Sequence, residues 1–161
     1  MSMFFRETKH VSLKQSPSRT ALEAAQAATR LARQVALALG DLDLSPSQYR
    51  LLLFLSEGNA AASAVAGRLA VSRPSVTALA DGLEKRGLLQ RKSDPADRRK
   101  VAHELTEAGR EILAAADIAV ADHIVQIASH LDADQVDEAL AGLALWNHAL
   151  TLARGQREAQ R

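Results

Sequence analysis

Cysteine is absent from all 161 residues, which removes disulfides, a thiolate zinc site, a cysteine nucleophile and a thiol peroxide sensor at one stroke. That absence fits a reducing cytoplasm, the compartment we expect. Aromatic residues make up only 3% while apolar residues reach 47%, and a pool dominated by alanine and aliphatics favours packed helices over a β-sandwich. No apolar run approaches the roughly 20 residues of a membrane span, so no membrane partner is expected. The opening MSMFFRETKH does not read as a signal peptide, because its apolar patch is short and precedes the charges. Glycine-rich phosphate loops, H-E-x-x-H and G-x-S-x-G are all missing. We therefore expect neither an enzyme nor a cofactor, on a chain whose length suits about one domain.

What is present is an uneven distribution of charge. Net charge is only +1, which alone points to no nucleic-acid partner. From Lys85 to Lys100, however, seven cations (Lys85, Arg86, Arg91, Lys92, Arg98, Arg99, Lys100) stand against two anions, Asp94 and Asp97. From Glu104 to His148 nine acidic residues meet a single cation, Arg110. One basic end and one acidic end would orient the molecule on DNA with the basic side down. Ordinary charged helix surfaces are the alternative source of such a pattern.

The stretch from Val71 to Thr106 organises the chain. Val76, Leu79, Ala80 and Leu83 follow the i, i+3, i+4, i+7 spacing of a helix that buries one stripe and leaves a small, polar outward face. Ser72 suits the N-cap, Pro74 and Ser75 the first turn, and Gly87 the stop. Leu88 to Lys92 and Lys100 to Leu105 read as two strands around the charged loop Ser93 to Arg99. Upstream, Ala61 to Ala70 supplies a short helix joined through Ala70-Val71-Ser72, the spacing of a helix-turn-helix. A slim helix followed by a basic hairpin is what a winged helix-turn-helix needs to enter the major groove and reach phosphates and the minor groove. On this reading Ser72, Arg73, Ser75 and Thr77 contact phosphates and bases with help from the helix dipole. Arg91, Lys92, Arg98 and Lys100 supply sequence-blind phosphate contacts.

The rest of the chain frames that unit. Residues 1–19 are expected to form an arm, with Phe4 and Phe5 docked on the chain's own helices or on a partner subunit. Residues 20–44 hold a long alanine-rich helix, capped by Thr20 and Glu23 and stopped at Gly40, that serves dimerisation. Residues 45–105 form the winged helix-turn-helix, opening on the Ser45–Gln48 capping box with Pro46 at the first helical position. Leu51 to Leu55 is apolar all round, so this helix is expected to be buried and to end near Gly58. Residues 106–161 carry two C-terminal dimerisation helices, capped by Thr106 and by Asp132 with Gln135. Ile112, Ala116, Ala119, Val120, Ile124, Ile127 and Leu131, then Val136, Leu140, Leu143 and Leu150, give more apolar seam than one winged helix can cover. A homodimer is the expectation and a self-contained bundle the alternative. The fold class expected is mainly α with a small β-hairpin wing.

The run LADGLEKRGLLQRKSDPADRRKVAHELTEAGR resembles the winged-helix signature of the MarR (multiple antibiotic resistance regulator) family. Asp97-Arg98-Arg99 matches the family's D-x-R wing, and Leu105-Thr106-Glu107-Ala108-Gly109 matches the L-T-x-x-G that opens the next helix. A looser likeness extends over roughly Thr20 to Ala153. It implies a homodimer on near-palindromic double-stranded DNA, with Arg99 in the minor groove held by an ion pair to Asp97. It also implies a repressor released by a small molecule, in a pocket between the buried helix, the first helix and the long helix after the wing. Arg30, Arg33, Tyr49 and His123 are the candidate ligand-binding groups there. The pattern departs at Ala78 and Gly82, where relatives often carry arginine, so no base contact is carried over to those positions.

Two other readings stay open. His123 and His130 lie seven apart on one helix with Asp122 nearby, which suggests metal sensing but lacks the several convergent ligands of an ordinary zinc site. The bland Ala78 and Gly82 suit a winged helix used for protein contact without a DNA target, and the basic wing argues against it. His103 and His148 read as structural, and no metal ligand is assigned.

Overall fold

The computed structural model describes residues 17–58, 72–93 and 101–159, with only the backbone described at Arg73, Ser93, Val101, Arg154 and 157–159. Phe4 and Phe5 of the arm, the short helix expected at Ala61–Ala70, and the hairpin tip with Asp97, Arg98, Arg99 and Lys100 lie outside the described residues. The described elements are α1 (Arg19–Ala38), a 3-10 turn (Gly40–Leu42), α2 (Pro46–Ser56), α3 (Arg73–Lys85), β1 (Leu89–Ser93), β2 (Val101–Leu105), α4 (Glu107–Ala128) and α5 (Ala133–Ala159). Mainly α with one antiparallel hairpin, this is the expected fold class. No helix among the described residues is long and apolar enough to cross a membrane.

The chain divides into two units, Met1–Ala32 and Arg33–Arg161. The described part of the first is the opening of α1. Its cap is Ser18, whose Oγ accepts the Ala21 N–H at 3.1 Å. The Thr20–Glu23 capping box read from the sequence does not form, because the helix starts at Arg19 and Thr20 lies inside its first turn, while Glu23 pairs with Arg19 at 2.9 Å.

The second unit is built around α2. Ser45 and Gln48 close their capping box at 3.2 and 2.9 Å, and Pro46 occupies the first turn, where a missing N–H costs nothing. Leu51, Leu52, Phe54 and Leu55 are buried. Leu39, Leu44, Val76, Ala80, Leu83, Leu88, Leu89, Leu105, Leu113 and Ala116 complete the core, and each fully buried leucine contributes about 1.5–3 kcal/mol against exposure. The α1 stop differs from the expectation at Gly40. The left-handed residue is Asp43, at φ 51, a conformation that a short polar side chain tolerates. The intervening 3-10 turn lets both Leu39 and Leu44 reach the core.

At the end of α3, Gly87 takes φ 71. Its N–H reaches the Glu84 carbonyl at 2.8 Å, and the Leu88 N–H reaches the Leu83 carbonyl at 3.0 Å, the paired bonds of a Schellman stop. Leu88 is thereby used by the turn, so β1 starts one residue later than the sequence suggested. Leu89 pairs with Leu105 and Arg91 with His103. Thr106 then pins the hairpin back onto α3. Its N–H donates to the Leu88 carbonyl at 3.1 Å, its hydroxyl donates to the Gly87 carbonyl at 2.7 Å, and the same oxygen caps α4 by accepting the Gly109 N–H at 3.0 Å.

Helix α4 buries Leu113, Ala116 and Ala128, and Ile112 and Val120 pack on the core. Ile118, Val125 and Ile127 remain exposed. None of the described side chains of α5 is buried, and its Leu143, Leu145, Trp146, Leu150 and Leu152 are exposed.

A Cβ at Gly109 would run into the Leu88 carbonyl oxygen and stand 3.1 Å from the Leu88 carbonyl carbon. Both neighbours are backbone atoms that cannot rotate away. Gly109→Ala is expected to lower the unfolding free energy by about 1–3 kcal/mol, measured as a fall in the urea midpoint at unchanged m. An unchanged midpoint would refute the close approach.

Candidate nucleic-acid interface

Because Val76, Ala80 and Leu83 point inward, α3 turns Ser72, Ser75, Thr77 and Ala78 to solvent. Ser72 is the N-cap. Its Oγ accepts the Ser75 N–H at 3.3 Å and lies 2.8 Å from the Ser75 hydroxyl. Hydroxyls thus gather at the positive end of the helix dipole, an arrangement suited to a phosphate or a base edge. Arg73 belongs to the first turn by its backbone, and its side chain lies outside the described residues.

Beside this turn runs an open cleft of about 580 Å³, lined by Ser45, Ser47 and Gln48 of the α2 start and by Ser75, Ala78 and Leu79 of α3. Gln48 Nε2 lies 3.9 Å from where a Cβ at Gly82 would stand. The small residues at 78 and 82 therefore border a region that the first turn of α2 approaches.

Of the four described cations in the Lys85–Lys100 stretch, Lys85, Arg86, Arg91 and Lys92, the last three are engaged by the protein itself. Arg86 donates to the carbonyls of Asp43 at 2.6 Å and Leu42 at 3.3 Å, tying the end of α3 to the turn before α2. Arg91, expected at phosphates, donates from Nε to Glu84 at 2.9 Å and from Nη2 to Asp81 at 2.8 Å. Hydrogen bonding to Glu84 leads the effects that raise its pKa further above the ordinary guanidinium value. Lys92, also expected at phosphates, pairs with Glu104 of the opposite strand at 2.8 Å. Asp81, Glu84 and Glu104 were missed as functional neighbours. The i, i+3 spacing of Asp81 and Glu84 put both on one helix face, but nothing in the sequence placed β1 beside that face.

Two of the candidate ligand groups bond to other side chains of the protein. Tyr49 donates its hydroxyl to Asp117 at 2.5 Å, and burial together with that carboxylate pushes the phenol above its ordinary range. It stays protonated and tethers α2 to α4. His123 lies 3.0 Å from the Gln34 side chain. Arg30 and Arg33 are exposed, Arg30 in the first unit. Asp117 and Gln34 carried no sequence signal that paired them with Tyr49 and His123. Among the described residues no group of three or more histidine, aspartate or glutamate side chains could hold a metal ion.

A helix with an exposed polar N-terminal turn, backed by an antiparallel hairpin pinned to its end, defines a winged-helix protein. Residues 42–100 match the sequence profile of the MarR family. Solved structures agree across most of the chain. The transcriptional repressor CouR, in a structure with a 23-mer DNA duplex, is 34% identical at a TM-score of 0.61, covering 79% of this chain and 89% of its own. A probable transcriptional regulator from Pseudomonas aeruginosa is 29% identical at a TM-score of 0.60, covering 80% and 96%. Wild-type apo MarR from E. coli is 21% identical at a TM-score of 0.68, covering 80% and 97%, a likeness of fold. No curated protein matches in sequence. The chain belongs to the MarR family of winged-helix transcriptional regulators.

His103 faces Arg91 across the hairpin. Burial, and then the Arg91 charge, lower its pKa below the ordinary 6.5, outweighing Glu84 and Asp81. The folded state therefore resists a proton that the unfolded chain accepts, so this group's contribution is full above pH 6.5 and is lost as pH falls through the lowered value. Replacing His103 with glutamine should flatten the acid side of the stability profile between pH 7 and 5. Urea midpoints across that range provide the check, and an unchanged slope would refute the assignment.

Proposed function

We propose that this MarR-family protein is a sequence-specific DNA-binding regulator, acting as a homodimer on a near-palindromic operator and repressing until a small molecule releases it. The observation that carries the DNA-binding reading is the exposed Ser72, Ser75 and Thr77 turn of α3 beside a hairpin whose sequence tip is Asp97-Arg98-Arg99-Lys100. The DNA duplex bound to CouR supports the same reading. Arg73 joins the α3 contacts, Arg99 takes the minor groove with Asp97 orienting it, and Arg98 and Lys100 hold phosphates. Such a protein works where its DNA is, in the cytoplasm, and performs no catalysis.

Dimerisation is supported by the apolar side chains of α5 that the chain leaves uncovered, Leu145 at 70% and Trp146 at 64% exposure among them. Residues 20–44 and 106–161 serve the dimer and residues 45–105 the DNA. A two-fold pair of α3 helices in successive major grooves calls for half-sites about one helical turn apart. Release by a ligand is supported by the Tyr49–Asp117 tether, since a molecule that displaced it would free α2, and α3 with it, to move against α4. Arg33 and His123 belong to that same response.

Purified protein titrated onto promoter-proximal and random duplexes at two salt concentrations, with native mass on the same sample, tests this reading. Dimer mass and salt-sensitive, selective retention are expected. Arg99→Ala should weaken binding several-fold or more with dimer mass unchanged. A monomer, or a protein that ignores DNA at low salt, would overturn the proposal and leave a protein-contact module in its place.

A further inference from the structure

Arg91 is the third residue of β1, yet both ends of its guanidinium point back to α3, at 2.9 Å from Glu84 Oε2 and 2.8 Å from Asp81 Oδ1. The planar fork meets two carboxylates one helical turn apart, a geometry that a lysine's single ammonium cannot reproduce. About half of the Arg91 side chain is exposed, at 53%, against 40% for Asp81 and 34% for Glu84. Pairs this open to water add little to stability. Their consequence is instead for position and for the sign of charge on the face of α3.

We propose that Arg91 is a positioning residue for DNA binding and makes no phosphate contact: it clamps the wing strand to the recognition helix and cancels two carboxylates that α3 would otherwise carry uncompensated to the duplex. The inference rests on the DNA-binding reading above. Duplex DNA presents one negative charge per about 1.7 Å of axis, so bare Asp81 and Glu84 on the reading helix would repel it. A guanidinium carries five N–H donors in one rigid plane, and the two that Arg91 gives to Glu84 and Asp81 fix the direction of the whole group. His103, opposite Arg91 in the register, is half-buried and held neutral, so it adds no competing cation at the clamp. Lys92 is committed in the same manner to Glu104, which leaves contact with phosphates to the tip of the hairpin.

The clamp and a phosphate contact make different predictions for combined variants. Four proteins, wild type, Arg91→Ala, the Asp81→Asn/Glu84→Gln pair and the triple variant, are titrated with a mixed-sequence duplex at low salt. If Arg91 works by masking the two carboxylates, its loss costs about ten-fold or more in the wild-type background and no more than about three-fold once they are neutral, a coupling well above additivity. If Arg91 binds a phosphate, its loss costs the same factor in both backgrounds, and the salt slope falls by about 0.9 each time; that outcome overturns the proposal. A second readout needs no DNA. In the free protein the Arg91 Nε–H resonance should exchange slowly with water and shift on Glu84→Gln, and rapid exchange would disprove the clamp. Failure of the wild type itself to bind would strike the DNA-binding reading, and the free-protein resonance tells the two failures apart.

Discussion

The carbonyl groups of Gly87 and Leu88 are where four elements meet. Gly87 must turn left-handed to end α3, and Leu88 must be buried to anchor the turn. Thr106 then takes both carbonyls, one with its N–H and one with its hydroxyl. Gly109 must be bare because α4 starts against the Leu88 carbonyl. Every one of these constraints involves backbone atoms, which do not change rotamer to relieve a clash. The directions of the wing and of α4 relative to α3 are consequently set before anything is bound, and a preorganised surface loses less entropy on binding. The L-T-x-x-G motif is the sequence trace of this junction.

With the frame fixed, charge is distributed within it more selectively than a linear count suggests. Arg86 holds the turn before α2, Arg91 holds α3, and Lys92 holds β2. All three are cations from the basic stretch, and all three are spent on geometry. Of the anions that answer Arg91 and Lys92, Asp81 and Glu84 lie just before the Lys85–Lys100 window and escaped the tally, while Glu104 was counted with the acidic end. Wing position and the electrostatics of the reading face are therefore the same question at Arg91. Under the proposed clamp, the side chain that fixes the strand also determines whether α3 meets a polyanion with two bare carboxylates.

Local signals were legible where the chemistry is local. The buried stripe of α3, the Ser45–Gln48 box, the Ser72 and Thr106 caps and the Gly87 stop all depend on residues within one helical turn of one another, and each can be read from spacing. Even local reading failed where two hydroxyl residues could each cap one helix: Ser18 caps α1 and Thr20 falls inside its first turn. It failed again where a tertiary demand moved a stop, as at Asp43, because Leu39 and Leu44 both had to be buried. The polar contacts around the candidate site join residues 68, 43 and 89 positions apart, in Tyr49–Asp117, Arg86–Asp43 and His123–Gln34. No periodicity encodes such pairs, since they exist only once helices with separate signals have packed. The long C-terminal seam was legible as an excess of apolar residues, but which of them face the core was not: Leu113 is buried, while Ile127 and Leu131 are exposed.

Helix α5 gives that excess a physical meaning. Propensity alone sustains a helix in water only marginally, and a helix in a folded chain ordinarily draws its stability from one apolar face. The 27 residues of α5 bury none of their described side chains within the chain. Leu143, Leu145, Trp146, Leu150 and Leu152 are left facing water over several turns, a patch of the kind that marks an interface. Under the proposed dimer, a second copy covers that surface, and the separation of the two α3 helices is then set by a helix with almost no core of its own chain behind it. A spacing defined mainly across subunits is easier to shift than one defined within a packed domain, because cores resist small displacements and interfaces admit alternative packings. The rigid junction at Leu88 and the uncovered face of α5 thus divide the molecule's work. One keeps the shape of each reading head constant, and in the proposed dimer the other would leave the distance between heads open to control.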